Sequence, residues 1–221
     1  MAPIPGKDPA QVTIDSSFSK SEKKDIETAL KIWNYFSETS LHRDFFKYHV
    51  GDIDPAPGKD IPSPSLRCAF EDGPQSFRII RMTDKKYWKE MGLKGGNFDD
   101  EATAGVTARC YEDDTNATLL RQVMLINTDY AVGRKFLNVV LHELGHAVGL
   151  DHSCDSSNSH QKNFISCDEV GPYDDYAEAV MYPAISDVMP TGDGTATEGW
   201  RHLKFALGRN DMERAYCLYK N

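Results

Sequence analysis

Two periodicities of apolar residues mark out the elements along the chain. Gln11 to Asp15 alternates, with Val12 and Ile14 on one side, and reads as a short strand. Ile26, Ala29, Leu30, Trp33 and Phe36 recur at helical spacing, so an amphipathic helix is predicted over 20–38. Ser19 followed by Glu22 supplies a capping box at its start. Further strands are predicted at Phe45 to Val50, Phe77 to Met82, Gly105 to Tyr111 and Leu119 to Thr128. The last of these alternates at Val123, Leu125 and Asn127. Lys135 to Gly149 is an apolar-rich helix, and Asp211 to Tyr219 a closing helix with Met212, Ala215, Tyr216 and Tyr219 on one face. The segments between are of a different kind. Residues 1–10 are Pro-rich, Asp52 to Ser65 is a Pro/Gly-rich loop, 153–178 is polar and irregular, and 184–200 is rich in Gly and Thr. No internal repeat or low-complexity tract is visible. The order predicts an α/β (α+β) fold in one domain, 1–221: a sheet-containing half over about 11–149, then a loop-rich half over about 150–221 that ends in a helix.

Composition narrows the partners. A chain of 221 residues with 40% hydrophobic content suits one compact domain with a real core, and a monomer is expected. The net charge of −9 argues against a nucleic-acid partner, because phosphate binding needs a basic face. Clusters such as Lys20 to Lys24 are interrupted by acids and read as a solvated helix face. No apolar run is long enough to span a bilayer. Met1-Ala-Pro-Ile-Pro is not a signal peptide; it reads as an introduced start or a trimmed mature end. The five cysteines, at 68, 110, 154, 167 and 217, show no C-x-x-C spacing, which argues against a thiolate zinc site or a thioredoxin-like motif. Two disulfides and one leftover thiol fit the count. Cys154 and Cys167 bracket a polar loop and are the favoured pair, with Cys68 and Cys110 as a second; buried thiols are the alternative.

The chemistry lies in Val139 to Ser153, Val-Val-Leu-His-Glu-Leu-Gly-His-Ala-Val-Gly-Leu-Asp-His-Ser. His142 and His146 are four apart, so a helix presents both from one face, one turn apart. Their neighbours Val139, Val140, Leu141, Leu144, Ala147 and Val148 are apolar, which makes the helix a buried one. Charged members of a buried helix need a reason to be there, and a metal supplies it. Gly149 tolerates the left-handed conformation that ends a helix, and the chain can then bring His152 back towards the same ion. Three imidazoles leave one position open for water, the mark of a catalytic zinc site. Glu143 is not needed as a ligand. Zinc lowers the pKa of its water to about 7, and Glu143 is placed to take that proton and pass it to the leaving nitrogen. A lone His-Glu-x-x-His can arise by chance, but with the added Gly and third His the pattern is expected by accident in roughly one such chain in ten thousand or fewer.

His142-Glu143-Leu144-Gly145-His146-Ala147-Val148-Gly149-Leu150-Asp151-His152 resembles the extended zinc motif of the metzincins in full. Leu150 to Ser153 is similar to the matrix metalloproteinase run, and Ala179-Val180-Met181-Tyr182-Pro183 to the Met-turn of that group. The resemblance implies a metzincin-like twisted mixed sheet with an active-site helix, and a zinc-dependent endopeptidase acting on polypeptide. It implies one catalytic Zn2+ on His142, His146 and His152, Glu143 as the catalytic acid–base, and Met181 as a hydrophobic floor below the ligands. It also implies a secreted or extracytoplasmic location, to which the cysteines add. Leu119 to Asp129 resembles the edge strand above the cleft, which binds substrate by strand addition in the family. Asn210 to Tyr219 resembles the last helix, whose acids hold the mature N-terminus in matrix metalloproteinases, Asp211 being the nearest candidate. Asp151 is a second candidate tie to the N-terminal region. The specificity pocket is expected between 182–185 and 186–208, with Trp200, His202, Leu203 and Phe205 as lining residues.

The departures are specific. Roughly thirty residues separate His152 from Met181, longer than in matrix metalloproteinases. No cysteine-switch motif is present. His42, His49, His160 and His202 lack the spacing of a structural zinc site and read as surface residues. Pro183 stands where astacin-like relatives carry a Tyr ligand, so no fifth protein ligand is expected. The acids at 99–101 and 113–114 are candidates for Ca2+ as well as for solvated loop. Asn116-Ala117-Thr118 fits a glycan acceptor. Two other functions stay open: a metal-binding module without turnover, against which Glu143 speaks, and a zinc hydrolase of non-peptide amides.

Overall fold

The computed structural model describes residues 8–52, 76–84, 88, 103–111, 119–154, 165–171, 173–183 and 205–220. Five strands form one mixed sheet: β1 (Ala10–Asp15), β2 (Phe46–Gly51), β3 (Ser76–Arg81), β4 (Gly105–Tyr111) and β5 (Leu119–Ile126). Their order is β2-β1-β3-β5-β4. The pairs β1/β2, β1/β3 and β3/β5 are parallel, and β4 runs antiparallel to β5. The sheet is thus the mixed α/β (α+β) arrangement predicted from the apolar pattern. One strand expectation is overturned. Leu119 to Asp129 is not an edge: β5 is paired on both sides, and among the described residues the edges are β4, beyond it, and β2 at the far end. Alternation reports which residues face the core, and that pattern is the same for an interior strand and its neighbour.

Two helices, α1 (Lys20–Leu41) and α2 (Arg134–Ala147), pack on one face of the sheet. Helix α1 begins at Ser19, whose hydroxyl accepts from the Glu22 amide at 3.3 Å while the Glu22 carboxylate accepts from the Ser19 amide at 2.6 Å. Such a cap contributes about 1 kcal/mol. It ends on His42, which adopts the left-handed conformation at φ 56° and is exposed, as is His49. Ile26, Ala29, Leu30, Trp33 and Phe36 form its buried stripe. They meet Val12 and Ile14 of β1, Phe77 and Ile79 of β3, Met124 and Ile126 of β5, and Val139, Val140, Leu141 and Leu144 of α2. The alternate residues Ile80, Val123 and Leu125 pack with Met82 and Trp88 on the other face.

The last helix, α3 (Arg209–Tyr219), buries Ala215 and Tyr219 of the expected face, but its inward side is rotated towards Asp211. Asp211, Ala215 and Tyr219 are buried, while Met212 and Tyr216 are exposed. A buried carboxylate sets this rotation, and hydrophobicity alone does not anticipate it. Cys154 and Cys167 form a disulfide, the pair favoured from the sequence. Cys217 is a free, exposed thiol. Cys68 and the Cys110 side chain lie outside the described residues, as do the acids at 99–101 and 113–114, Asn116, His160, Trp200, His202 and Leu203. No helix among the described residues is long and apolar enough to cross a membrane.

Candidate metal centre

Helix α2 is buried nearly all round, from Phe136 to Ala147. Four side chains from other elements hydrogen-bond carbonyls along it and at its end. Trp33 Nε1 donates to Leu141 O at 3.1 Å and the Thr107 hydroxyl to Glu143 O at 3.0 Å. Gln122 Nε2 donates to Ala147 O at 2.9 Å and the Tyr219 hydroxyl to Val148 O at 2.8 Å. Each such bond contributes about 1 kcal/mol net. Together they fix the helix against α1, the sheet and α3, a rigid base for side chains that must converge.

The chain leaves α2 through Gly149, at φ 97°. This is a left-handed conformation that a β-carbon would disfavour. Gly149 N donates to His146 O at 3.0 Å and Leu150 N to Gly145 O at 2.9 Å, closing the turn. Ser153 N then donates to Met181 O at 2.8 Å, and the Ser153 hydroxyl to Tyr176 O at 2.8 Å. The bend brings His152 back beside the helix. His142, His146 and His152 each offer a ligand atom, and these atoms lie within 4.8 Å of one another. The ring centroids are 4.8, 4.9 and 5.2 Å apart.

Two of the rings are oriented by carbonyls. His142 Nδ1 lies 2.8 Å from Val180 O, and His146 Nδ1 lies 2.8 Å from Leu150 O. A carbonyl only accepts, so each Nδ1 carries the proton, and in the neutral ring Nε2 keeps its lone pair free for a metal. Burial holds His142 and His146 neutral. His146 is pulled down to about 4, by burial first and then by the charge of His152. His142 is pulled well below its ordinary value by burial and by its two imidazole neighbours. Neutral imidazole is the form that binds metal.

Glu143 follows His142 on α2. Gly105 of β4 lets the edge strand come close to it: a β-carbon there would stand 2.8 Å from Val139 Cγ1 and 2.9 Å from Glu143 Cγ. The Glu143 carboxyl is buried, and its Oε2 has no hydrogen-bond partner among the described residues. Burial pushes it up to about 7, opposed by the Thr107 hydroxyl. A buried carboxyl oxygen left without a donor carries a penalty of about 1–3 kcal/mol or more. Beside three imidazoles that each offer a ligand atom, this fits a site built around a cation: the donor set suits zinc, and the acid follows His142 on the helix without being needed as a ligand.

Below the helix, Met181 is fully buried, with its side chain against Gly145. The Val180–Met181 backbone is held by Asp211. Its Oδ2 accepts from Val180 N at 2.7 Å and Gly208 N at 2.9 Å, and its Oδ1 from Met181 N at 3.1 Å. Asp211 therefore braces the Met181 segment; the N-terminus to which the family resemblance tied it, residues 1–7, lies outside the described residues. Burial pushes its carboxyl up, against the pull of those three amides and of Arg214. Asp151 ties its loop both to the N-terminal half and to the last helix. Its carboxylate is 3.8 Å from Arg109 of β4, and its carbonyl accepts from Arg214 Nη2 at 2.9 Å. Tyr182 packs with Cys154 and Ala177. Phe205, expected in a specificity pocket, is about half exposed. Sequence reasoning missed Trp33, Thr107, Gln122, Arg214 and Tyr219, none of which carries a local signal of its distant carbonyl partner.

Fold and site together define a mixed α/β protein with a three-imidazole centre on a buried His-Glu-x-x-His helix, closed by a bend and backed by a methionine. Among solved structures, the chain is similar to high choriolytic enzyme 1, a hatching enzyme zinc-protease from Oryzias latipes (medaka fish), at 15% identity and TM-score 0.42, covering 95% of this chain and 88% of that one. It is also similar to myroilysin, at 13% identity and TM-score 0.43, covering 98% of this chain and 95% of that one. No family model matches the chain, and no curated protein does.

Proposed function

We propose that this protein is a metzincin-type, zinc-dependent endopeptidase, with His142, His146 and His152 as ligands and Glu143 as the catalytic acid–base. The observation that carries the reading is the convergence of three ligand atoms within 4.8 Å beside a buried carboxyl oxygen that has no partner among the described residues. A zinc ion held by His142, His146 and His152 would supply Lewis-acid polarisation of a peptide carbonyl and acidify a water molecule. Glu143 would accept the proton of an attacking water and return it to the departing nitrogen. Met181 forms the floor under the ligands, as the Met-turn resemblance implies. Edge strand β4 supports an extended substrate added as a further strand, and Gly105 and Thr107 on that strand both contact Glu143. The Cys154–Cys167 disulfide supports a secreted or extracytoplasmic setting.

The test is incubation of the zinc-loaded protein with denatured casein, with and without chelator. Chelator-sensitive cleavage that returns on adding zinc is the expected result. A chain that holds one zinc and cleaves nothing, in the parent as in Glu143→Ala, is instead a metal-binding module without turnover.

A further inference from the structure

Alternate residues of β4 share one face, and that face lies along α2. Gly105, Thr107 and Arg109 stand opposite Ile126, Met124 and Gln122 of β5. Gly105 approaches Glu143 closely, and the Thr107 hydroxyl bonds the Glu143 carbonyl. Gln122, level with Arg109, reaches the carbonyl of Ala147, the last residue of α2. The strand therefore runs from the Glu143 turn to the end of the helix. Arg109 stands at that end, about 7 Å beyond Thr107 at the rise of an extended chain. Its Nη2 lies 3.8 Å from Oδ1 of Asp151, which directly precedes His152.

The ion pair between Arg109 and Asp151 is a loose one. At 3.8 Å it exceeds hydrogen-bond range, and the Asp151 side chain is 71% exposed, a setting in which ion pairs are weak. The Arg109 side chain is only 29% exposed, so a carboxylate that reaches it is partly withdrawn from water. A guanidinium presents its N–H donors as a planar fork that a carboxylate meets with both oxygens. Such charge-assisted pairs are shorter and roughly twice as strong as neutral hydrogen bonds. Position along β4 decides which part of a substrate comes there. A peptide added to the outer edge of β4 has its scissile bond near Glu143, level with Thr107. At the level of Arg109 it is about two residues away from that bond.

We infer that Arg109 determines specificity: its guanidinium receives the carboxylate of an Asp or Glu side chain that the substrate carries about two residues from the cleaved bond. This rests on the zinc-peptidase reading above, with substrate laid along β4, and adds to it a chemical class of substrate.

The experiment uses the zinc-loaded full chain and a fluorogenic peptide built around one bond that it cleaves in casein. The peptide is blocked at both ends and otherwise free of acids, so the only carboxylate is the one introduced. Asp and Asn are compared in turn at the second and third positions on each side of the bond, and the quantity read is the Asp-to-Asn ratio of kcat/KM. The expected result in the parent is a ratio of about tenfold or more at one of these positions, falling as salt is raised. Arg109→Gln is expected to bring it close to one, with Arg109→Met in its place if the Gln variant does not fold. A parent ratio near one at every position overturns the inference. So does a ratio that the Arg109 variant leaves unchanged, or a preference for Lys at the same position, which would assign recognition to Asp151. If the parent cleaves no casein when loaded with zinc, the zinc-peptidase reading itself has failed and the role of Arg109 with it.

Discussion

The sulfur of Met181 fills the space in which Gly145 would otherwise carry a β-carbon, and Met181 Cγ and Cε each lie 3.3 Å from that position. Gly145 sits between the two helical histidines, so its missing side chain is what lets the methionine come up beneath them. Gly145→Ala is expected to displace Met181 in a tightly packed core and to cost about 1–3 kcal/mol. Chemical unfolding of the zinc-free protein measures this. An unchanged midpoint would mean that the methionine is not confined there.

Asp211 ties this same segment to the last helix. Asp211→Asn keeps one acceptor but turns an NH2 group towards backbone amides, and is expected to cost about 2–4 kcal/mol by leaving charged-acceptor bonds unmade. The pH dependence follows from the direction of the shift. Burial raises the folded-state pKa of Asp211, so the folded chain holds this proton more tightly than the unfolded chain. Its contribution is fully present below the ordinary carboxyl value and is lost as pH rises through the raised one. The stability difference between parent and Asp211→Asn should change across that interval and be flat above it. A difference that does not vary with pH there would contradict the shift.

The disulfide closes the loop that follows the third histidine. Replacing Cys154 and Cys167 by Ser removes a cross-link over a separation of 13 residues, and a loss of about 3 kcal/mol is expected. The urea midpoints of parent and variant, each zinc-free, provide the comparison. Equal midpoints would show that the loop ends are held by packing alone.

Glu143→Gln preserves shape and removes the proton acceptor. Cleavage is expected to fall by about 10²–10⁴-fold with zinc content unchanged. Loss of zinc together with activity would make Glu143 a ligand, and retention of full activity would remove it from the mechanism.

The parts of the fold legible in the sequence are those written in local spacing. Trp33 and Phe36 lie on the stripe that the helical period marked, and Ser19 with Glu22 caps that helix as the box predicts. His142, His146 and His152 were legible because helix pitch and one glycine suffice to bring them together. Strand order was not. The pattern of Leu119 to Thr128 identifies a strand, yet nothing in it says that β4 lies outside it. The inward face of α3 was legible at Ala215 and Tyr219 but not at Asp211, whose burial shows only in its three amide partners. Arg214 and Tyr219 carry no sequence signal, since their partners are main-chain carbonyls at Asp151 and Val148, more than sixty residues away, where any residue type would serve.

The central claim is that three imidazoles share one divalent ion. Zinc X-ray absorption on the stoichiometrically loaded protein tests it directly. The predicted result is one zinc per chain, with three imidazole nitrogens at about 2.0–2.1 Å, falling to two in His152→Ala. A spectrum without imidazole scattering, or one unchanged by that substitution, would contradict it.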